Sequence, residues 1–293
     1  MNSLLNEFKY SFKKQDNGLI QIIILNVGIF VLTAIIYVFS KLLGDSRVFD
    51  FIYYKNMHLP SAPAEFLTRP WTIVTYFFSH SINNIFHILF NMLALYWFGR
   101  LIMEYLGHRR FVNIYIIGGL VAGVVFLMAY NFIPALSNQP AILIGASGSV
   151  YAVVVAAATL APDYRFYMIF LGPVKIVYIA AFFVFISFLG SVGDNSGGNL
   201  AHLGGALLGF VYIKQLKKGR DIGKPISAMA AFFQKLGRNR HLKVSYKNKN
   251  PKANVKVVPD EKEIDAILDK ISVSGYESLT REEKEKLFKA SQK

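Results

Sequence analysis

The sequence predicts an all-α membrane protein that crosses the bilayer six times and carries a small helical tail. Two observations support this prediction. Hydrophobic residues make up 54% of the 293-residue chain and charged residues only 17%, whereas about a quarter of the residues in a soluble domain are charged. The apolar residues also occur in blocks, and residues 111–133 and 142–162 contain no charged side chain. Because a helix needs roughly 20 apolar residues to cross the hydrocarbon core, each block is long enough to span it.

Six segments are predicted to span the membrane. They lie near residues 19–42, 84–103, 111–132, 144–161, 174–191 and 199–216. The first segment is too long for the core of a signal peptide and no small-residue cleavage site follows it, so we interpret it as a spanning helix. The loop at 43–83 is rich in aromatic residues and proline, which favours a position folded against the membrane face.

The distribution of charge predicts the orientation in the membrane. Lys and Arg precede the first span, lie between spans two and three and between four and five, and follow span six, whereas the short connections 133–143 and 192–198 carry only Asp194. Cytoplasmic loops are enriched in Lys and Arg, so both termini are expected in the cytoplasm. Residues 214–258 hold 13 Lys and Arg and one acidic residue, Asp221. No nucleic-acid-binding motif accompanies them, so the expected partner of this segment is the lipid bilayer rather than nucleic acid.

The chain is predicted to contain four parts. These are a cytoplasmic N-terminal lead at 1–18, a six-helix domain at 19–216, a basic flexible linker at 217–259 and a small helical cytoplasmic tail at 260–293. Two short helices are expected in the tail, the first ending at Gly275. Thr280 and Glu283 have the spacing of a capping box, which predicts the start of the second.

Four polar side chains inside the predicted spans are candidates for function. They are His87 and Asn91 in the second span, Ser147 in the fourth and His202 in the sixth. Polar groups are costly within a membrane and frequently mark functional sites. These three spans run in the same direction, and His87, Ser147 and His202 lie near their starts, so they share one depth in the outer part of the bilayer.

Ser147 lies between Gly145 and Gly148 at the start of the fourth span. The glycines permit unusual dihedrals and close approach of other backbone. The free N–H groups at a helix N-terminus suit a developing oxyanion. The alternative for Ser147 is a structural hydrogen bond within the membrane, since serine is common in spanning helices.

His202 lies beside a face of small residues, Ala201, Gly205 and Gly209, which recur every four positions. Such a face lets two helices pack closely in a membrane, so the sixth span can bring His202 to Ser147. Together they would supply the nucleophile and the general base of acyl transfer. A purely structural role for His202 is the alternative. A larger side chain at Gly205 is expected to separate the helices. Leu208 is expected to lie on another face, where a bulky residue is tolerated better.

His87 and Asn91 are four residues apart and share one face of the second span. Both can donate hydrogen bonds, and two roles are open: contacts between helices, or an oxyanion hole with the Ser147 N–H. Tyr151 lies one turn below Ser147 and is expected to stack on the His202 ring. Metal catalysis is the rival chemistry. However, the chain has no cysteine and no HExxH motif, and no cofactor or metal is expected.

Three short motifs, in this order, resemble those of the rhomboid proteases: His-Ile-Leu-Phe-Asn at 87–91, Gly-Ala-Ser-Gly at 145–148 and Ala-His-Leu-Gly-Gly at 201–205. Glu104 and Gly107 followed by Arg110-Phe111 are also similar to the family's connection between spans two and three. The resemblance covers about residues 19–216. One departure lies in the first loop, where Arg69-Pro70-Trp71 stands in place of the Trp-Arg pair of many family members.

The resemblance implies a rhomboid-like six-helix bundle acting as an intramembrane serine endopeptidase. It implies a Ser147–His202 dyad without an acidic third member and an oxyanion hole made by His87, Asn91 and the Ser147 N–H. It also implies that Tyr151 supports His202, and that the fifth span and the loop over the site act as a substrate gate. Substrates would be single-span membrane proteins cut near small residues. Because the tail is similar to those of some bacterial relatives, the bacterial inner membrane is the expected location.

Two other functions remain open. The first is a non-proteolytic rhomboid-like protein that binds transmembrane clients. Such relatives usually lack the serine or the histidine, whereas this chain has both Ser147 and His202. The second is a transporter or channel, which would predict inverted repeats and a charged site at the membrane midplane. The sequence has neither feature, so a protease is the favoured interpretation.

Overall fold

The computed structural model describes residues 17–137, 139–168, 172–237 and 261–291. The chain separates into two compact units, which divide between residues 238 and 239. Most of the predicted N-terminal lead lies outside the described residues.

The first unit is built from helices of very different lengths. In chain order these are α1 Gly18–Leu43, α2 Arg47–Asp50, α3 Pro63–Thr68, α4 Thr72–Thr75, α5 Ile85–Phe132, α6 Ser147–Leu160, α7 Ile176–Gly190, α8 Ser196–Lys217 and α9 Lys224–Gly237. A π-helical turn at Phe51–Lys55 and a 3-10 turn at Tyr76–Phe78 lie in the first loop. Among the described helices, α1 and α5 are long and apolar enough to cross a membrane by length and composition, and α6 and α7 are shorter apolar helices.

Two small antiparallel sheets connect these helices. The first pairs β1 Leu59–Pro60 with β2 Ile142–Leu143, and the second pairs β3 Arg165–Met168 with β4 Gly172–Lys175. The first sheet ties the loop before α5 to the segment that leads into α6. It therefore fixes the approach of the chain to Ser147.

The structure corrects the predicted connection between the second and third spans. The predicted spans leave residues 104–110 between them, whereas in the structure the helical segments on either side run up to a single break at Gly107, where φ is 78° and ψ is 170°. Residues with side chains rarely adopt this backbone conformation, which glycine reaches without a steric penalty. A single glycine therefore divides α5 into two helical segments.

Small residues allow close packing around α6, which contacts both α5 and α8. A Cβ added to Gly118 of α5 would collide with the side chain of Ala152. A Cβ on Gly205 or Gly209 of α8 would collide with the backbone oxygens of Gly148 and Ala152, respectively. The backbones of α6 and α8 are thus nearly in contact, as expected for cohesion by small residues in a membrane.

The outward face of α8 differs from the one expected. Leu208 is only 9% exposed and packs in the core, whereas Leu207 is 63% exposed. The expectation that Leu208 lies on a tolerant face is therefore wrong, and Leu207 occupies such a face.

The loop before α5 is folded, with several of its aromatic side chains buried. The Tyr53 hydroxyl donates a hydrogen bond to the carbonyl of His80 at 3.0 Å. The Arg69 guanidinium donates to the carbonyl of Lys55 at 2.9 Å. These long-range contacts join the two ends of the loop, so it is a structured part of the first unit.

The predicted flexible linker at 217–259 is partly helical. Helix α9 forms within it, because apolar residues recur every three or four positions there and produce one apolar face. The amide of Asn113 in α5 donates to the Ser227 hydroxyl of α9 at 2.9 Å. The prediction of a flexible linker is therefore wrong for α9, and residues 238–260 lie outside the described part of the chain.

A turn centred on Asp221 connects α8 to α9. Its carboxylate accepts hydrogen bonds from the Tyr212 hydroxyl at 3.1 Å and from the Gly223 N–H at 2.9 Å, and it pairs with Arg110 at 3.3 Å. Partial burial acts to raise the pKa of Asp221, but these hydrogen bonds outweigh it and hold the pKa below its usual range. The turn thus fixes where the chain leaves α8.

The second unit contains two helices, α10 Glu261–Ser274 and α11 Arg281–Ala290, with a 3-10 turn at Tyr276–Ser278 between them. The predicted capping box is confirmed, since Thr280 and Glu283 exchange side-chain to backbone hydrogen bonds. Lys270 of α10 pairs with Glu283 at 2.9 Å. The hydrogen bond that the Lys270 ammonium donates to Glu283 is the main reason that the pKa of the Glu283 carboxyl is lowered to about 2. That this unit is an independent cytoplasmic tail stays a prediction.

Candidate active site

Ser147 is the first residue of α6, and the chain enters the helix through Gly145. Gly145 has φ of 122°, a conformation that side-chain-bearing residues rarely adopt. A Cβ at Gly145 would also lie 2.7 Å from the imidazole ring of His87. Glycine is therefore required at this position both by the backbone conformation and by the space that the His87 ring occupies.

The structure brings Ser147 and His202 together. The Nε2 atom of His202 lies 2.7 Å from the Ser147 hydroxyl oxygen, within hydrogen-bonding distance. Gly205, about one turn after His202, closely approaches Gly148, the residue that follows Ser147, and this close approach makes the short distance possible. The arrangement has the geometry of a hydroxyl nucleophile with an adjacent general base.

The ring of Tyr151 stacks on the ring of His202, with centroids 4.4 Å apart and an angle of 13° between the planes. This stacking contact was predicted from the position of Tyr151, one turn below Ser147. The stacking fixes the plane of the imidazole.

Sequence reasoning missed Ser187, which lies on α7 and is 1% exposed. Its hydroxyl oxygen is 3.1 Å from His202 Nδ1 and 2.9 Å from the Tyr151 hydroxyl. The Tyr151 hydroxyl in turn donates to the carbonyl of Phe183 at 3.3 Å. The available signal was the single serine of α7, near the end of a helix that is otherwise apolar apart from Tyr178, and such a signal is weak without knowledge of its neighbours.

His87 and Asn91 line a cavity of about 410 Å³ beside the dyad. The remaining lining residues are Asn84, Phe86, Phe90, Val150, Tyr151 and Phe183. The Asn91 amide donates one hydrogen bond to the His87 carbonyl at 2.7 Å, and an amide nitrogen carries two donors. The walls are mostly apolar with a few polar groups, a composition typical of ligand-binding clefts.

Two further histidines of the first loop, His58 and His80, are buried. None of their ring nitrogens has a hydrogen-bond partner among the described residues. The ring of His80 lies 5.3 Å from that of His87. Within the described part of the chain, no group of three or more His, Asp or Glu side chains is arranged to hold a metal ion.

Comparison with known proteins identifies two matching families. The Rhomboid domain matches residues 67–218, a range that contains every candidate site residue. A Family of unknown function (DUF6576) matches residues 248–293. The first match supports a membrane protein, and the second assigns no activity to the C-terminal unit.

Three curated relatives illustrate the similarity. RHOMBOID-like protein 12, mitochondrial, of Arabidopsis thaliana is 29% identical over 68% of this chain and 58% of its own length. Presenilin-associated rhomboid-like protein A, mitochondrial, of Danio rerio is 32% identical over 50% of this chain and 37% of its own. Rhomboid protein 1, mitochondrial, of Saccharomyces cerevisiae is 29% identical over 50% of this chain and 42% of its own.

The chain thus spans between 37% and 58% of the length of these relatives. All three are named as mitochondrial proteins, and another relative is named as chloroplastic. The relatives are thus named for organelles, whereas the sequence predicts a bacterial membrane.

Proposed function

The chain belongs to the rhomboid family of membrane proteins, and we propose that it is an intramembrane serine endopeptidase. Its substrates would be membrane proteins, cut in or near a transmembrane segment. The observation that carries this proposal is the 2.7 Å contact between Ser147 Oγ and His202 Nε2. In a non-proteolytic relative, nothing would require these two polar groups to meet at a helix N-terminus.

The reaction would proceed in two steps through an acyl-enzyme. The Ser147 hydroxyl attacks the carbonyl carbon of the scissile peptide bond while His202 Nε2 takes its proton. The tetrahedral intermediate collapses, His202 returns the proton to the leaving amine, and an ester to Ser147 remains. Water, activated by His202 in the same way, then hydrolyses the ester and releases Ser147.

Negative charge develops on the carbonyl oxygen in both steps. The Ser147 N–H at the start of α6, with the side chains of His87 and Asn91, would donate hydrogen bonds to it. Two facts support this role: Gly145 leaves room for the His87 ring next to Ser147, and Asn91 lines the same cavity as Tyr151. Each donor acts on charge that exists only in the transition state and the intermediate.

We propose that six segments span the bilayer: α1, the two segments of α5, α6, α7 and α8. Helices α6 and α7 contain 14 and 15 residues, about 21 and 23 Å at 1.5 Å per residue. The hydrocarbon core is roughly 30 Å thick. A short α6 that ends at the cytoplasmic face would leave Ser147 several ångströms below the outer surface, where a transmembrane substrate can reach it.

The basic short loops support an orientation with both termini in the cytoplasm. We propose that the protein resides in a bacterial inner membrane. The support for this location is the likeness of the tail to those of bacterial relatives, while the organellar names of the curated relatives belong to those proteins.

The dyad can be tested with the purified full-length protein in lipid vesicles that contain a fluorogenic transmembrane substrate. Ser147→Ala and His202→Ala should each abolish cleavage, and the double variant should lose no more, because the two residues act as a unit. A fluorophosphonate probe should label the wild type and not Ser147→Ala.

Ser149→Ala is a matched control, since it removes a hydroxyl two positions away that has no hydrogen-bond partner in the described part of the chain. It should cleave at nearly the wild-type rate. Cleavage by folded Ser147→Ala would contradict the proposal. A wild type that binds transmembrane segments without cleaving or reacting with the probe would instead support the non-proteolytic alternative.

A further inference from the structure

Ser187 lies behind the dyad, on the side of His202 that faces away from Ser147. We propose that it is a positioning residue that holds His202 with a proton on Nδ1 and a lone pair on Nε2. The inference deepens the proposed function and rests on it, because it assigns the group that prepares the general base. Its effect on the imidazole can nevertheless be measured without substrate.

The direction of each hydrogen bond follows from counting protons. The Phe183 carbonyl can only accept, so the Tyr151 hydroxyl uses its one proton on that carbonyl, at 3.3 Å. The oxygen of Tyr151 then accepts from Ser187, at 2.9 Å, and this uses the one proton of the Ser187 hydroxyl. The Ser187 oxygen therefore has no proton left for His202.

With its proton used on Tyr151, Ser187 can only accept a hydrogen bond from His202 Nδ1, which lies 3.1 Å away. A neutral imidazole with its proton on Nδ1 has an unprotonated Nε2. That nitrogen faces the Ser147 hydroxyl at 2.7 Å and is ready to take its proton. The opposite tautomer would set an unprotonated Nδ1 against an oxygen without a free proton and would leave Nε2 unable to act as a base.

A hydroxyl suits this position better than a charged group. In soluble serine proteases a carboxylate holds the histidine in the correct tautomer. A carboxylate inside a membrane carries a large desolvation cost, and Ser187 is only 1% exposed. When His202 becomes an imidazolium, Nδ1 still donates and the Ser187 oxygen still accepts, so the same bond serves both charge states.

The hydrogen bonds made by Tyr151 and Ser187 also connect three helices. Ser187 and Phe183 belong to α7, Tyr151 to α6 and His202 to α8. A displacement of α7 would break the bond from His202 to Ser187 and the bond from Tyr151 to Phe183 together. The base is therefore held in its reactive tautomer only while α7 is packed against α6 and α8.

The test compares Ser187→Thr, Ser187→Val and Ser187→Ala in the full-length protein in lipid vesicles. Thr and Val have nearly the same shape, but only Thr keeps the hydroxyl. Ser187→Val and Ser187→Ala should lower kcat by about 10- to 100-fold, the usual effect of losing one hydrogen bond to a group that becomes charged. KM should change little, because Ser187 lies behind His202, and Ser187→Thr should restore most of kcat.

A second measurement, 15N NMR of histidine-labelled protein without substrate, reports the tautomer directly. The His202 signal is identified by its loss in His202→Ala. Nδ1 should be protonated in the wild type and in Ser187→Thr, and this preference should weaken in Ser187→Ala. The inference would be overturned if Ser187→Ala had the wild-type kcat or an unchanged tautomer. It would also be overturned if Ser187→Thr cleaved as slowly as Ser187→Val while the two variants had equal thermal stability. Cleavage by Ser147→Ala would instead refute the proposed function, while the NMR result would stand.

Discussion

Ser147 and His202 are 55 positions apart in the sequence and meet at 2.7 Å. Three features of single residues make this contact useful. Gly145 leaves space beside Ser147, Tyr151 fixes the plane of the imidazole, and Ser187 occupies its second nitrogen. At the residue scale, the proposed nucleophile Ser147 therefore contacts a proposed base that is held from two sides.

The proposed oxyanion hole contains two side-chain donors, His87 and Asn91, which can be removed one at a time. Asn91→Ala and His87→Ala should each lower kcat by about 10²- to 10³-fold with little change in KM, because the donors act on charge present only during reaction. Steady-state cleavage of a transmembrane substrate in vesicles measures both constants.

Phe90→Leu is the control for the oxyanion experiment, because Phe90 lines the same cavity without supplying a donor. It should keep kcat within a few-fold of the wild type. A normal kcat for folded Asn91→Ala would remove Asn91 from the oxyanion hole.

Helices α6 and α8 form the element-scale framework of the site. Their small residues bring the backbones almost into contact, and the added Cβ of any larger residue at Gly205 would overlap the carbonyl of Gly148. Cohesion in the membrane depends on such contact, because no hydrophobic force favours helix over lipid. The dyad is built across this contact, so its geometry depends on the spacing of the two helices.

Gly205→Val should push α8 away from α6. Overpacking of this kind typically destabilises a protein by about 1–3 kcal/mol, and a displacement of about 1 Å can cost on the order of 10²-fold in rate. We therefore expect a lower melting temperature and a large loss of cleavage, although the substitution touches no reacting atom.

Leu207→Phe adds bulk on the exposed face of α8 and is the control for Gly205→Val. Both the melting temperature and the cleavage rate of this variant should remain close to those of the wild type. Wild-type behaviour of Gly205→Val would mean that the helices tolerate separation at this point.

On the scale of the whole molecule, orientation decides which side of the membrane the site faces. The connection between α5 and α6 carries no basic residue, whereas the segment after α8 is strongly basic. Ser147 is the first residue of α6, directly after this connection, and His202 lies nearer to the start of α8 than to its basic end. The proposed orientation therefore places the dyad towards the outside.

Cysteine labelling tests this orientation cleanly, because the chain has no native cysteine. Ala135→Cys and Lys218→Cys introduce single thiols at exposed positions on the two proposed sides. In intact cells, a membrane-impermeant maleimide should label Ala135→Cys at once and Lys218→Cys only after permeabilisation. The reverse pattern would invert the proposed topology and turn the site to the cytoplasm.

Features that depend on near neighbours were predictable from the sequence. Uncharged blocks predicted the apolar helices, and the spacing of Thr280 and Glu283 predicted the capping box, because composition and helical periodicity are local properties. The ordered motifs around His87, Ser147 and His202 also predicted the family. Each of these signals lies within a few consecutive residues, where chain geometry alone relates one side chain to the next.

Features that depend on how helices rotate and pack became known only from the three-dimensional structure. Whether Ser187 faces His202 depends on the rotation of α7 about its axis, and the burial of Leu208 depends on which neighbours α8 meets. These relations join side chains that are distant in the sequence, and local propensity contains no information about such distances.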